Sequence, residues 1–329
     1  APELLKKLEE EVAGLKPSDN FDIKIVDNLK PNARLNNNLL RKRADVLEVQ
    51  AGHLRRLAEL IHERTVQDAL LAEFKKGEPK VNLLHAALLV GKLDNADLDP
   101  THYGKVVNEM AAEIRTSLPK DANQAKRLAA LGKYMFLENG FHGSRGDYYN
   151  RANSYINEVI DDREGIPITL SILYMELARR LDLKLVGIGL PGHFVIAQLR
   201  DKKEPQLIDV FDSAKLITRK DAEEIVRNFA GIPLQDTHLE PVDNRAIIVR
   251  MLRNLIGISN ENEPPVVVLR YLNTLLLLQP NSPQEHLNRA LMYMRLKQNE
   301  KAKADIRWLL DNNPPGFNQE RLLELFRRL

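Results

Sequence analysis

Cysteine is missing from all 329 residues of this chain. Its absence excludes a disulfide framework, a thiolate zinc site and a cysteine nucleophile together. An excess of charge of either sign is missing too: 48 Lys and Arg face 46 Asp and Glu, a net of +2. That balance is no electrostatic footprint for nucleic acid. The short basic clusters Arg41-Lys42-Arg43 and Lys75-Lys76 have acids nearby and read as solvated helix faces. No apolar run approaches the ~20 residues that cross a bilayer. The opening APELLKKLEEEV is amphipathic and acidic, unlike a signal peptide. The expectation is a cytoplasmic protein that engages neither membrane nor nucleic acid.

What is present is helical pattern, broken once. At this length about two domains are expected, with a core that needs no metal or disulfide. Leu4, Leu5, Leu8, Val12 and Leu15 give a helix over Pro2–Leu15. A turn-rich stretch from Pro17 to Asn38 follows, with a short extended candidate at Ile23–Val26, and then a long amphipathic helix from Leu39 to Phe74. Gly77 and Pro79 stop it. Helices are expected over 82–93, 100–118 and 121–138. The loop GFHGSRGDYYN spaces Gly140, Gly143 and Gly146 three apart, which is not the dinucleotide fingerprint, and no strand precedes it. No cofactor is expected.

Pro167 to Leu181 reads as a central helix with almost no polar surface, and Pro167 suits its first position. LKLVGIGL, HFVIAQL and QLIDVF follow as short branched strands of a small antiparallel sheet. From about 243 the pattern returns to helices: 243–256, 265–278, 284–297, 299–311 and 317–328. Pro280 and Pro314 stand one tetratricopeptide period apart, with Ala290, Tyr293 and Ala302 at the matching small and aromatic positions. The match is partial, because His286 replaces the usual Trp and Leu309 the final Ala. Such a repeat seldom folds alone, so the tail should dock on the preceding domain. The expected organisation is a helical extension (1–80), a core (81–240) and a helical tail (241–329), α+β in class.

Two polar residues stand out in the sheet region. Asp209 interrupts the apolar run Leu207–Phe211, where a desolvated carboxylate needs a partner. His193 follows Pro191-Gly192 at the mouth of a strand. Taken singly, Asp209 reads as an edge-strand aspartate facing solvent and His193 as structural. Together, on adjacent antiparallel strands, they can form a carboxylate–imidazole pair. Ahead of them Asn153 and Asn157 share a helix face, as do Ser154 and Glu158. With Tyr149 these residues either wall a cleft for a peptide or amide-bearing ligand, or simply cap and pack.

The gap from His193 to Asp209, behind a buried helix and on consecutive strands, resembles the transglutaminase-like superfamily, relatives of the papain-type thiol proteases. More closely, DYYN-x-x-NSYINEVIDDREGIPITLSILYMELARRLDLKLVGIGLPGHFVIA is similar to the bacterial SirB family, across about residues 82–225. The resemblance implies a papain/transglutaminase-like core joined to a repeat-containing tail. It assigns His193 and Asp209 to two triad positions and places the cysteine at the start of the central helix. Here that place falls at Pro167–Ile168, and neither residue can attack. The expectation is a pseudoenzyme that binds a protein or peptide. The alternative is a hydrolase or acyl-transfer enzyme using His193 and Asp209 with Ser171, Thr169 or activated water. A metal site lacks ligands, since two candidates are too few for zinc.

Overall fold

The structure is a computed structural model that describes Lys6 and residues 23–200, 203–259 and 263–329. The helix expected over Pro2–Leu15 therefore lies outside the described residues, Lys6 apart. The chain divides into two compact units, Ala1–His62 and Glu63–Leu329. In the first, Ile23–Leu29 is helical, not extended as expected. A 3-10 turn at Lys30–Asn32 leads into one helix running Ala33–Lys75, so the asparagines at 36–38 lie within it. Asn36 Nδ2 donates to Leu29 O at 2.8 Å, which helps hold the bend between the two. Leu35, Leu54, Leu57 and Ile61 are exposed.

Within the second unit the pattern is buried as the sequence implies. Val66, Leu70 and Phe74 enter the core beside helix Leu83–Lys92. Asn82 and Asp99 cap the helices Leu83–Lys92 and Pro100–Thr116 by accepting from His85 N and Thr101 N. The third expected helix ends early. It is α-helical over Gln124–Gly132 and then widens into a π turn over Lys133–Glu138. The central helix, Pro167–Arg180, is buried from Pro167 through Ala178.

Strands β1 (His142–Gly143) and β2 (Glu164–Gly165) form a short parallel pair just before the central helix. The main sheet runs β6-β5-β4-β3-β7 and is antiparallel throughout. Its strands are β3 (Leu185–Ile188), β4 (Val195–Arg200), β5 (Lys203–Asp209), β6 (Lys215–Ile217) and β7 (Pro241–Val242). The three anticipated strands gain β6 and β7, too short to show in the sequence. Alternation explains why these strands read as unbroken apolar runs. Phe194, Ile196, Ile208 and Val210 join the core with the central helix, whereas Val195, Ala197, Leu207 and Ile217 pack with Ala222 and Val226. Those last two belong to a helix not anticipated above, Arg219–Ala230, capped by a Thr218/Asp221 box.

The tail helices are Asn244–Ser259, Pro265–Leu278, Pro283–Arg295, Asn299–Asn312 and Gln319–Arg328, each packed on the next. The first packs on Leu83–Lys92 and on the central helix. A partly buried polar network spans core and tail. Asp94 Oδ2 accepts from Tyr155 Oη at 2.7 Å and Tyr271 Oη at 2.6 Å, and Asp94 also pairs with Arg270. Arg151 reaches Tyr271 Oη at 2.6 Å and Glu263 at 2.7 Å. Burial first, and then the Asp94 carboxylate, pushes the Tyr155 phenol far up, so it remains a hydrogen-bond donor.

Candidate functional site

Backbone geometry sets the histidine. After β3, Gly192 adopts φ +77°, and a Cβ there would sit 2.6 Å from Phe229 Cβ, so glycine serves both conformation and space. His193 N donates to Leu190 O at 3.1 Å. Arg250, from the first tail helix, clamps the same turn by donating to Leu190 O at 2.8 Å and His193 O at 2.7 Å. The imidazole is then held between rings, stacked on Phe229 at 5.6 Å and edge-on to Phe211 at 6.1 Å.

Asp209 comes from the end of β5, next to β4, where Ile196 pairs with Ile208. His193 Nε2 lies 3.0 Å from Asp209 Oδ2. The other carboxylate oxygen accepts from Phe211 N at 3.0 Å. Both side chains are buried, at 6% and 7% exposure, so this is not an edge aspartate facing solvent. A carboxylate so placed fixes the imidazole with its proton on Nε2 and leaves Nδ1 as the working nitrogen. Nδ1 makes no hydrogen bond among the described residues.

The pair lies on a cavity of about 590 Å³ whose walls include Ser144, Arg145, Tyr148, Phe211 and Phe229. Ser144 was not singled out in the sequence. It follows β1, and its N–H donates to Gly165 O at 2.9 Å, which ties it beside the start of the central helix. Its Oγ is fully buried without a partner. Arg145 pairs with Asp212 at 3.0 Å, its guanidinium 5.8 Å from the Phe211 ring centre. Burial pushes the Tyr148 phenol up, so the cavity wall carries a protonated hydroxyl there. The only signal for Ser144 was its place in a glycine-rich loop, which does not distinguish a lining side chain from a connector.

The other sequence candidates lie elsewhere. Tyr149 is 76% exposed, packs edge-on against Tyr148 and does not line the cavity. Asn153 is buried and donates to Asp147 O at 2.8 Å, fixing the preceding loop. Asn157 is buried against the helix Leu83–Lys92, its Oδ1 2.7 Å from the Cβ position of Gly91, and it donates to Glu158 at 2.7 Å. Asn157 and Glu158 thus pack and pair away from His193, and none of these residues is on the cavity. Thr169 Oγ1 is occupied: it donates to Asn153 O at 2.8 Å and accepts from Ile166 N at 3.1 Å, closing the helix start. Ser171 is fully buried, its hydroxyl unpartnered and off the cavity. Pro167 and Ile168 are buried as well and do not line it.

Comparison with known proteins fits this frame. The transglutaminase-like superfamily matches residues 101–253. A UPF0162 protein of Xylella fastidiosa (strain 9a5c) is 30% identical over 241 residues, covering 72% of this chain and 85% of that protein. Protein SirB1 of Salmonella typhimurium (strain LT2) is 26% identical over 211 residues, 64% of this chain and 77% of its own. The chain belongs to the SirB-type transglutaminase-like family. A segment similar to this family member also occurs in F-box only protein 21 of Homo sapiens, 28% identical over 183 residues, 53% of this chain but 28% of that one.

Proposed function

We propose that this SirB-type protein is a transglutaminase-like pseudoenzyme that binds a protein or peptide segment in the His193 cleft. One observation carries the reading. The imidazole–carboxylate pair is complete and buried, while the helix start that would bear the nucleophile holds Pro167 and Ile168, sealed from the cavity. The free imidazole Nδ1, the Tyr148 hydroxyl and the aromatic walls can orient a bound chain by hydrogen bonds and apolar contact. The tetratricopeptide-like spacing of the tail adds a second surface to the proposal, and a cytoplasmic setting belongs to it.

A specific observation favours one rival. Ser144 lines the same cavity as the imidazole and its buried Oγ is unpartnered, so the hydrolase reading passes from Ser171 and Thr169 to Ser144 or to activated water. Against it, the helix terminus that would stabilise developing negative charge does not open on the cavity. The test of the binding reading is selection of peptides from a displayed library against the whole protein, followed by fluorescence anisotropy. Selected peptides should bind Phe229→Ala and Tyr148→Ala at least tenfold more weakly, about 1.4 kcal/mol. Affinities indifferent to both substitutions, or a library yielding no cleft-dependent binder, overturn it.

A further inference from the structure

A second concavity, of about 1120 Å³, lies between the helix Gln124–Gly132 with its π turn and the β4–β5–β6 part of the sheet. Residues that line it include Leu128, Phe136 and Tyr174, with Leu137, Leu199 and Leu216 toward solvent. Three large aliphatic side chains at 81%, 54% and 57% exposure around one groove form an apolar patch, not scattered surface leucines. The π turn is the local cause. Its wider register keeps Tyr134 and Met135 in the core while turning Leu137 outward, and such turns recur at functional sites.

The charges on the groove have one sign. Lys133, Lys184 and Arg200 line it, and no Asp or Glu does among the described residues. Lys133 is already paired with Glu138. Lys184 and Arg200 have no acidic partner among the described residues; Arg200 only donates to Gln206 Oε1 at 3.1 Å. An apolar floor with cations on its rim that lack an acidic partner among the described residues selects against basic partners and steers acidic ones. The volume exceeds that of an ordinary small-molecule pocket, ~300–1,000 Å³, and suits side chains from successive turns of a peptide.

We infer that this groove docks an acidic amphipathic segment of a partner protein. The segment lays apolar side chains against Leu128, Phe136, Leu137 and Leu216 and sets carboxylates beside Lys184 and Arg200. This surface does not include His193 or Ser144, so it stands apart from the cleft proposal.

The probe is a fluorescein-labelled synthetic peptide with leucines at i, i+3, i+4 and i+7 and glutamates between them, set against the same peptide with lysines for glutamates. Anisotropy titrations use the full chain. The glutamate peptide should bind saturably, weaken at least tenfold with Leu137→Ser and with Lys184→Glu, and weaken with added salt. The lysine peptide should not bind. Both substituted residues are exposed, so the variants should fold, and matching circular dichroism spectra check this. Equal affinity for the two peptides, no saturable binding, or indifference to both substitutions overturns the inference. So does sedimentation showing self-association that Leu137→Ser abolishes, which would give the groove to a second copy of the chain.

Discussion

At the scale of single residues, the buried Asp209 carries the sharpest consequence. Asp209→Ala removes the acceptor of both His193 Nε2 and Phe211 N. Breaking such a buried pair from one side should cost about 3 kcal/mol in urea denaturation. Asp209→Asn should cost less, because its amide oxygen still accepts. An unchanged midpoint for Asp209→Ala would mean that the carboxylate is solvated. A second His–Asp contact, remote in sequence, gives a pH signature. Asp305 is buried, which alone raises its pKa, but the Arg289 hydrogen bonds and His286 outweigh burial and hold it below the ordinary 3.8. A carboxylate depressed on folding contributes stability in full above that value, and loses it as pH falls through the folded-state pKa. Wild type should therefore lose more stability than Asp305→Asn between pH 4 and more acidic conditions. Parallel curves for the two would exclude the linkage. His286 also stacks on the Trp308 ring at 4.0 Å, which helps hold it beside Asp305.

At the scale of elements, what was legible depended on how much of the signal was periodic. The central helix, β3 to β5 and the His193–Asp209 contact follow from apolar runs and from one polar residue inside each. The helix Arg219–Ala230 was overlooked because its buried face has only a few apolar residues, among them Ala222 and Val226, in a charged segment. The start of the cleft was misread for another reason. Asn153 and Asn157 stand four apart, but a 3-10 turn over Arg151–Ser154 ends before the helix Ile156–Asp162, so they share no helix face, and nothing in the spacing reveals that Asn153 O is the acceptor for Thr169. Ser144 enters the site through pairing of β1 with β2, a nonlocal contact of two-residue strands that leaves no pattern. The turn before His193 makes a clean element-level test. Gly192→Ala must hold φ +77° and displace Phe229, so it should destabilise the protein by about 1–3 kcal/mol in urea denaturation. A neutral substitution would show that the turn relaxes without cost.

At the scale of the whole second unit, core and tail share partly buried polar groups. Arg250 clamps the His193 turn from the first tail helix, and Asp94 serves Tyr155, Tyr271 and Arg270 together. Asp94→Ala should cost about 3 kcal/mol or more, whereas Tyr155→Phe, which leaves Asp94 its other donors, should cost about 1 kcal/mol, both measured by urea denaturation. Equal small losses would mean that the network is solvated and does not join tail to core. On the function proposed above, this assembly keeps a catalytic frame for recognition and not for turnover. The most direct measurement is release of p-nitrophenol from p-nitrophenyl acetate by wild type, His193→Ala and Ser144→Ala at matched folded concentrations. The account predicts the same background rate for all three. A wild-type rate well above that background, and lost in both variants, would contradict it and establish a serine hydrolase.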